Sequence, residues 1–316
     1  MPKASIVRVV IVNWNGGDQL VRAIHAVRAS QFPAGNGIEI TVVDNGSLDG
    51  SVGWLRQECV AGTLRLVELG TNAGFASACN RGASDFSGEF LLFLNPDTRV
   101  EPDSIRRAVE VFVADTDKTI GIVGIQSIGD DANVQRTCAR IPRLWHFVNE
   151  ALGLASLAPQ IFPGLHRLDF DHAESRAVAH VIGAFYLVRT DLFRFLNGFD
   201  ERFFVYLEDL DFSLRAKRAG YSCYFLADAW MYHKGGGISG KVKDRRLFYS
   251  LRSRILYAFK HLGRPSAWVV TIATVVIEPF PRLLRGVLRG SGEEVRNTAR
   301  AFAMLYRALP KILAAE

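Results

Sequence analysis

The sequence predicts an α/β fold: a mostly parallel sheet with helices on both faces over residues 1–240, then a basic helical extension over 241–316. Three observations predict it. Apolar, β-branched runs alternate with amphipathic stretches through the first 125 residues, which is the pattern of a parallel sheet covered on both sides. Of the 316 residues, 49% are hydrophobic, enough to bury a large core. The charge also changes sign along the chain. Residues 1–240 hold 23 Lys/Arg against 27 Asp/Glu, whereas 241–316 hold 15 against 5.

The elements follow in order. "IVRVVIV" (6–12) is a buried strand. "GGDQLVRAIHAVRAS" (16–30) sets Leu20, Ala23, Ile24 and Val27 on one helical face. "IEITVVD" (38–44), "TLRLVEL" (63–69), "EFLLFLN" (89–95) and "IGIVGI" (120–125) repeat the strand pattern, and "PDSIRRAVEVFVAD" (102–115) reads as a helix with Pro102 in its first turn. Residues 130–177 are irregular and contain Pro142, Pro159 and Pro163; a loop this long is a binding element or a cover. "VAHVIGAFYLVR" (178–189) returns to strand, and "EDLDFSLRAKRAG" (208–220) is a helix that ends at basic residues and Gly220.

In the last quarter, "LFYSLRSRILYAFKHL" (247–262) is an amphipathic helix with a basic face. "AWVVTIATVVI" (267–277) is continuously apolar but is followed by Glu278, Pro279 and Pro281, which makes it too short to cross a bilayer. "PRLLRGVLRG" (281–290) sets Arg282, Arg285 and Arg289 along a Leu-rich helix suited to a membrane interface. The bland alternative is a helical cap on the catalytic domain. Nucleic acid is not the expected partner, because no stacking aromatic set accompanies the charge.

Cys59, Cys79, Cys138 and Cys223 are scattered, so neither a zinc site nor a disulfide framework is indicated. The start lacks a signal-peptide cleavage pattern. Both point to the cytoplasm.

Candidate chemistry gathers at strand ends, where ligands of parallel sheets bind. "LLFLNPDT" (91–98) runs from four large apolar residues into Asn95, Pro96 and Asp97. Asp97 is either a turn carboxylate or a ligand for a hard metal such as Mg²⁺. Asn13 and Asp44 end two other strands, and a carboxylate at 44 can accept the N3–H of a pyrimidine base. "NAGFASACNRG" (72–82), with Asn72 and Gly74, offers small residues where a nucleotide can approach the backbone. Glu208, Asp209 and Asp211 crowd one helix start among aromatic residues. Helix-dipole stabilisation explains one or two of them, and a desolvated general base is the sharper reading.

His233 ends an aromatic strand before a glycine run. "GGGISGK" (235–241) fails as a P-loop, because Val242 stands where a hydroxyl is needed. "HRLDFDH" (166–172) reads as an ordinary surface loop.

The stretches "IVNWNG", "VVDNGSLDGS", "NAGFASACNRG", "FLNPDT", "GAFYLVRTDLF", "GFDERFFVYLEDLDFSLRAKRAGY" and "HKGGGIS" occur in that order from residue 5 to about 260. In this the chain resembles the inverting glycosyltransferases of family 2, with their GT-A (Rossmann-like) fold, and their bacterial rhamnosyltransferase-like branch. The resemblance implies a nucleotide-sugar donor, dTDP- or UDP-linked and with rhamnose as one candidate sugar. It implies a glycan or polyprenyl-diphosphate-linked acceptor and Mg²⁺ or Mn²⁺ as cofactor. The basic excess of the C-terminal quarter separately suggests an anionic membrane partner, with peripheral work at the inner face of the cell membrane.

The resemblance also implies roles residue by residue. Trp14 lies near the nucleobase and Asp44 contacts it. Asn95 and Asp97 are the ends of a D-x-D metal motif, and the Asn departs from the fuller motif by one negative charge. His233 completes the metal or diphosphate site. Asp209 is the catalytic base, with Glu208 beside it. Two other classes compete. A sugar-phosphate nucleotidyltransferase would need a Gly-rich, Arg-bearing loop that "VNWNGGDQL" does not supply. A non-catalytic membrane scaffold would not need Asp44, Asp97, Asp209 and His233 together.

Overall fold

The computed structural model describes residues 5–32, 37–165, 170–235, 240 and 242–314. The chain runs β1 (Ser5–Asn13), α1 (Gly17–Arg28), β2 (Gly37–Asp44), α2 (Ser51–Val60), β3 (Arg65–Glu68), α3 (Phe75–Ala83) and β4 (Phe90–Leu94). It continues through β5 (Thr98–Val100), α4 (Ser104–Ala114), β6 (Ile120–Ile128), β7 (Val134–Gln135), β8 (Cys138–Ala139), α5 (Leu144–Ala151) and α6 (Leu154–Leu157). Next come β9 (Arg176–Val178), β10 (His180–Val181), β11 (Phe185–Arg189), α7 (Thr190–Phe195), α8 (Glu208–Arg218) and β12 (Ser222–His233). The C-terminal helices are α9 (Lys243–His261), α10 (Arg264–Ile272), α11 (Pro279–Leu288) and α12 (Gly292–Ala314).

Two compact units result. The first comprises residues 1–139, 169–201 and 208–238; the second comprises 140–168, 202–207 and 239–316. The first unit is built on a sheet ordered β3-β2-β1-β4-β11-β6-β12-β5. β1, β2, β3 and β4 are mutually parallel, and β6 and β12 point the same way. β11 runs antiparallel between β4 and β6, a reversal the sequence did not reveal.

Strand period sorts the core into two layers. Val7, Val9 and Ile11 of β1 pack with Leu20, Ile24 and Val27 of α1. Val10 and Val12 face the other way, onto α3, Phe193 and Phe212. Each such buried side chain contributes about 1.5–3 kcal/mol. Gly82 permits the close approach of α3, since a Cβ there would lie 2.4 Å from a methyl of Val10. The predicted helix at 102–115 starts at Ser104, so Pro102 precedes it by two residues.

The second unit is helical, with the Arg254 guanidinium at its centre. Arg254 is 5% exposed and bonds both Glu278 and Glu150, the latter at 3.1 Å. One expectation fails here: the apolar run does not stop at Glu278. A π-helical turn over Ala273–Ile277 joins α10 to α11, giving a continuous helix over Arg264–Leu288. The π turn explains how Pro279 is tolerated. Glu278 N–H donates to Ala273 O at 2.9 Å, and Val275 O, which the missing Pro279 N–H would have bonded, accepts the Tyr306 hydroxyl at 2.9 Å. Its 25 residues are long and apolar enough to cross a membrane, by length and composition alone.

Candidate active site

Two clusters stand at the carboxyl ends of β1, β2 and β4, and a third at the start of α8. In the first, Asn13 pairs in register with Asp44. The Asn13 amide donates to Asp44 Oδ1 at 2.8 Å and to the hydroxyls of Ser47 and Ser51, and Asn13 has no exposed surface. Asp44 Oδ2 accepts the N–H groups of Gly46 (3.2 Å) and Ser47 (3.1 Å). Asp44 is thus a buried turn anchor with 3% of its surface open. Trp14 is half-buried beside it.

The turn at 44–51 is tied to the segment before α3. Asn45 donates to Asn72 Oδ1 at 3.0 Å, and Asn72 Oδ1 also accepts Gly74 N–H at 3.1 Å. Gly46 has φ +75°, and a Cβ there would meet the Thr71 backbone at 2.9 Å, so only glycine fits.

In the second cluster, β5 pairs with β12 so that His233 lies opposite Thr98. His233 Nε2 comes to 3.4 Å from Asp97 Oδ1. Asn95 holds the corner through its backbone: its carbonyl accepts the Thr98 hydroxyl at 2.7 Å. His233 Nδ1 is buried without a hydrogen-bond partner among the described residues. An oxygen and a nitrogen at this spacing fit joint coordination of one divalent ion at about 2.1 Å each. They supply two ligands, and the described residues hold no group of three.

The third cluster is the start of α8. Tyr206 and Leu207 both adopt positive φ, 70° and 67°, immediately before it. Two consecutive left-handed non-glycine residues are strained, and such strain concentrates at functional sites. The three acids that follow do three different jobs. Asp211 is fully buried and paired with Arg215 at 2.8 Å, which also bonds two carbonyls of the preceding loop. Glu208 is 5% exposed with Oε2 unpartnered. Burial, then the neighbouring Asp209, push its carboxyl pKa well above the usual range, which favours the protonated form.

Asp209 is the member whose side chain keeps 16% exposure. Its Oδ2 accepts Gly183 N–H at 2.7 Å and its Oδ1 accepts Leu210 N–H at 2.8 Å. The sequence suggested one desolvated acid as the base; in the structure Glu208 is the desolvated member and Asp209 is the partly open one.

Gly183 links the second and third clusters. Its N–H holds Asp209, while the next carbonyl, Ala184 O, accepts Asn95 N–H at 3.0 Å. Two adjacent residues just before the antiparallel β11 therefore tie Asp209 and the Asn95 corner to one short stretch of backbone. His180 was missed by sequence reasoning. Its Nε2 lies 3.7 Å from Asp209 Oδ2, and its Nδ1 is 2.9 Å from Ser213 Oγ, which is 2.8 Å from Tyr186 Oη. Tyr186 in turn donates to Asp209 O at 3.2 Å. "AHVIGAF" offers no local cue, because the contacts come from α8, 26 residues or more downstream for Asp209 and Ser213.

Two other expectations need adjustment. His172 is not at the surface: it is fully buried, with Nε2 accepting the N–H groups of Thr137 and Cys138. That fixes its proton on Nδ1, which donates to Phe170 O. His166 and Asp169 of the same stretch, and most of the glycine run after His233, lie outside the described residues.

With this geometry in place, comparisons locate the chain among known proteins. The family described as "Glycosyl transferase family 2" matches residues 8–193. An N-acetylglucosaminyl-diphospho-decaprenol L-rhamnosyltransferase of Mycobacterium tuberculosis is 26% identical, over 84% of this chain and 89% of its own. A mannosyltransferase of Pyrobaculum calidifontis, solved with GDP-Man and Mn²⁺, superposes with a TM-score of 0.55 at 18% identity, covering 96% of this chain and 76% of that one. TarS of S. aureus gives 0.52 at 16% identity, covering 95% and 91%. At these identities the structural likeness carries the fold, which is GT-A.

Proposed function

Since the chain belongs to glycosyltransferase family 2, we propose that it is a metal-dependent inverting glycosyltransferase acting in cell-surface polysaccharide synthesis. Its donor on this reading is a dTDP-sugar, with rhamnose as the sugar moved. Its acceptor is a glycan on a polyprenyl diphosphate, and it works peripherally at the cytoplasmic face of the cell membrane. The M. tuberculosis relative, named for rhamnosyl transfer to a decaprenol-linked acceptor, supports the choice of donor and acceptor.

The observation that carries the reaction class is the Gly183–Ala184 pair of residues: Gly183 N–H donates to Asp209 Oδ2, and Ala184 O accepts Asn95 N–H. A base and a diphosphate corner so joined suit a single displacement. Trp14, Asp44, Asn72 and Gly74 form the nucleotide side. Asp97 and His233 would hold a divalent ion, which when bound offsets charge on the leaving diphosphate as a Lewis acid.

Asp209 accepts the proton of the acceptor hydroxyl. The acceptor oxygen bonds C1 as the C1–O bond to the diphosphate breaks, and the nucleoside diphosphate leaves with the electron pair. The configuration at C1 inverts. Glu208 is the poorer candidate, because burial raises its carboxyl pKa and its Oε2 has no hydrogen-bond partner among the described residues. His180, Ser213 and Tyr186 keep Asp209 oriented.

Thermal stabilisation by a panel of nucleotide-sugars, with Mg²⁺ or Mn²⁺ and then excess chelator, tests the reading. A shift by dTDP-rhamnose that chelator abolishes supports it. No shift by any nucleotide-sugar, beside full activity in chelator, would overturn the metal-dependent form.

A further inference from the structure

Helix α10, the π turn and α11 present two unlike faces. Trp268 (44% exposed), Ile272 (53%), Val276 (55%), Phe280 (70%), Leu284 (58%) and Leu288 (77%) recur every four residues as an open apolar stripe. A monomeric soluble surface rarely carries so many large apolar residues in one line. The other face is packed within the second unit, with Val270, Ala273 and Glu278 among its buried residues.

Glu278 decides how this helix can meet lipid. It has no exposed surface and bonds Arg254, itself 5% exposed, and Arg282 at 2.8 Å. Glu278 sits near the middle of the 25 residues, and Arg254 reaches it from α9. A crossing helix would leave the unit and strand Glu278 in hydrocarbon, or carry Arg254 with it, and either is costly. Lying flat, the helix immerses only the stripe and leaves the ion pairs inside the protein.

The charge beside the stripe names the partner. Arg282, Arg285 and Arg289 lie along α11 and at its C-cap, paired with Glu278 or Glu294 but with 27%, 43% and 65% of their side chains open. Residues 241–316 carry 15 Lys/Arg against 5 Asp/Glu. That balance complements anionic headgroups rather than an apolar protein partner.

We propose that the helix over 264–288 lies in the plane of an anionic phospholipid bilayer, inserted by this stripe, and does not cross it. The inference rests on the peripheral location proposed above and specifies the element and its seating.

The test uses the full chain with sedimented vesicles of phosphatidylcholine, with or without a quarter of phosphatidylglycerol. The wild type should bind the anionic vesicles, bind neutral ones far less, and come off in alkaline carbonate. Phe280→Glu combined with Leu284→Glu should weaken binding at least about tenfold. Both positions are exposed, so thermal melting should match wild type, and nucleotide-sugar hydrolysis in solution should persist.

A nitrobenzoxadiazole label on Leu284→Cys, in a Cys59→Ser background, should shift to the blue on anionic vesicles, which reports insertion without relying on a disruptive variant. Unchanged binding by the double variant overturns the stripe's role, as does an unshifted label. Retention through carbonate overturns the in-plane seating, and equal binding to neutral vesicles overturns the anionic partner. Loss of sugar transfer with vesicle binding intact would strike the enzymatic reading alone.

Discussion

Replacing Gly183 by alanine probes the hinge of the site with one methyl group. Its φ lies outside the left-handed region, so alanine suits the backbone. The added Cβ would lie 3.1 Å from Asp209 Oδ2, 3.5 Å from its Cβ and 3.6 Å from its Cγ. Only the first contact is tighter than van der Waals spacing, and a retreat of about 0.3 Å relieves it. The carboxylate is partly open and can make that retreat, at the expense of its 2.7 Å bond from Gly183 N–H.

Stability should fall by only about 1 kcal/mol. Catalysis should fall more, since misplacing a reacting group by about 1 Å costs about 10²-fold and 0.3 Å correspondingly about fourfold. The assay is steady-state transfer with kcat and KM for the donor measured separately. We expect kcat to drop about four- to tenfold with KM for the donor unchanged. A Gly82→Ala control, whose Cβ would press to 2.4 Å from Val10, should lower Tm instead and leave kcat of the folded fraction intact. An unchanged kcat for Gly183→Ala, or a change confined to donor KM, would refute the view that this peptide seats the base.

Further outcomes follow from the same structure. Glu208 has a raised carboxyl pKa when folded, so the native state binds the extra proton and stability falls as pH rises above 4.5, the ordinary value for a glutamate carboxyl. Glu208→Gln should therefore match wild type in acid and become the more stable protein as pH rises, read by thermal melts across that range. Arg254→Met should destabilise the chain by about 3 kcal/mol in urea unfolding, because it leaves buried Glu278 with one cationic partner fewer. Asp97→Ala should abolish the effect of divalent ions on donor binding in titration calorimetry, and a retained metal response would remove Asp97 from the metal site.

Much of the sheet was legible because its strands are buried on both sides and read as continuous apolar runs, as in 6–12 and 89–95. The residues ending those strands were legible for the same reason: a polar side chain directly after such a run has to be explained. What could not be read depends on contacts distant in sequence. The antiparallel insertion of β11 makes Gly183 and Ala184 together the link between Asp209 and Asn95, and local sequence carries no strand direction. The division of labour among Glu208, Asp209 and Asp211 is set by which neighbours each meets, Arg215 for one and a peptide N–H for another. The continuous helix over 264–288 was hidden because prolines usually end helices, and a π turn with a tyrosine hydroxyl removed the penalty.

Asp209→Asn tests the central claim most directly. Asparagine keeps the shape of the side chain but cannot take a proton from an acceptor hydroxyl. Binding of the nucleotide-sugar, measured by calorimetry, should match wild type, while sugar transfer falls by about 10²–10⁴. Transfer at a near wild-type rate by the asparagine variant would contradict the assignment of Asp209 as the base.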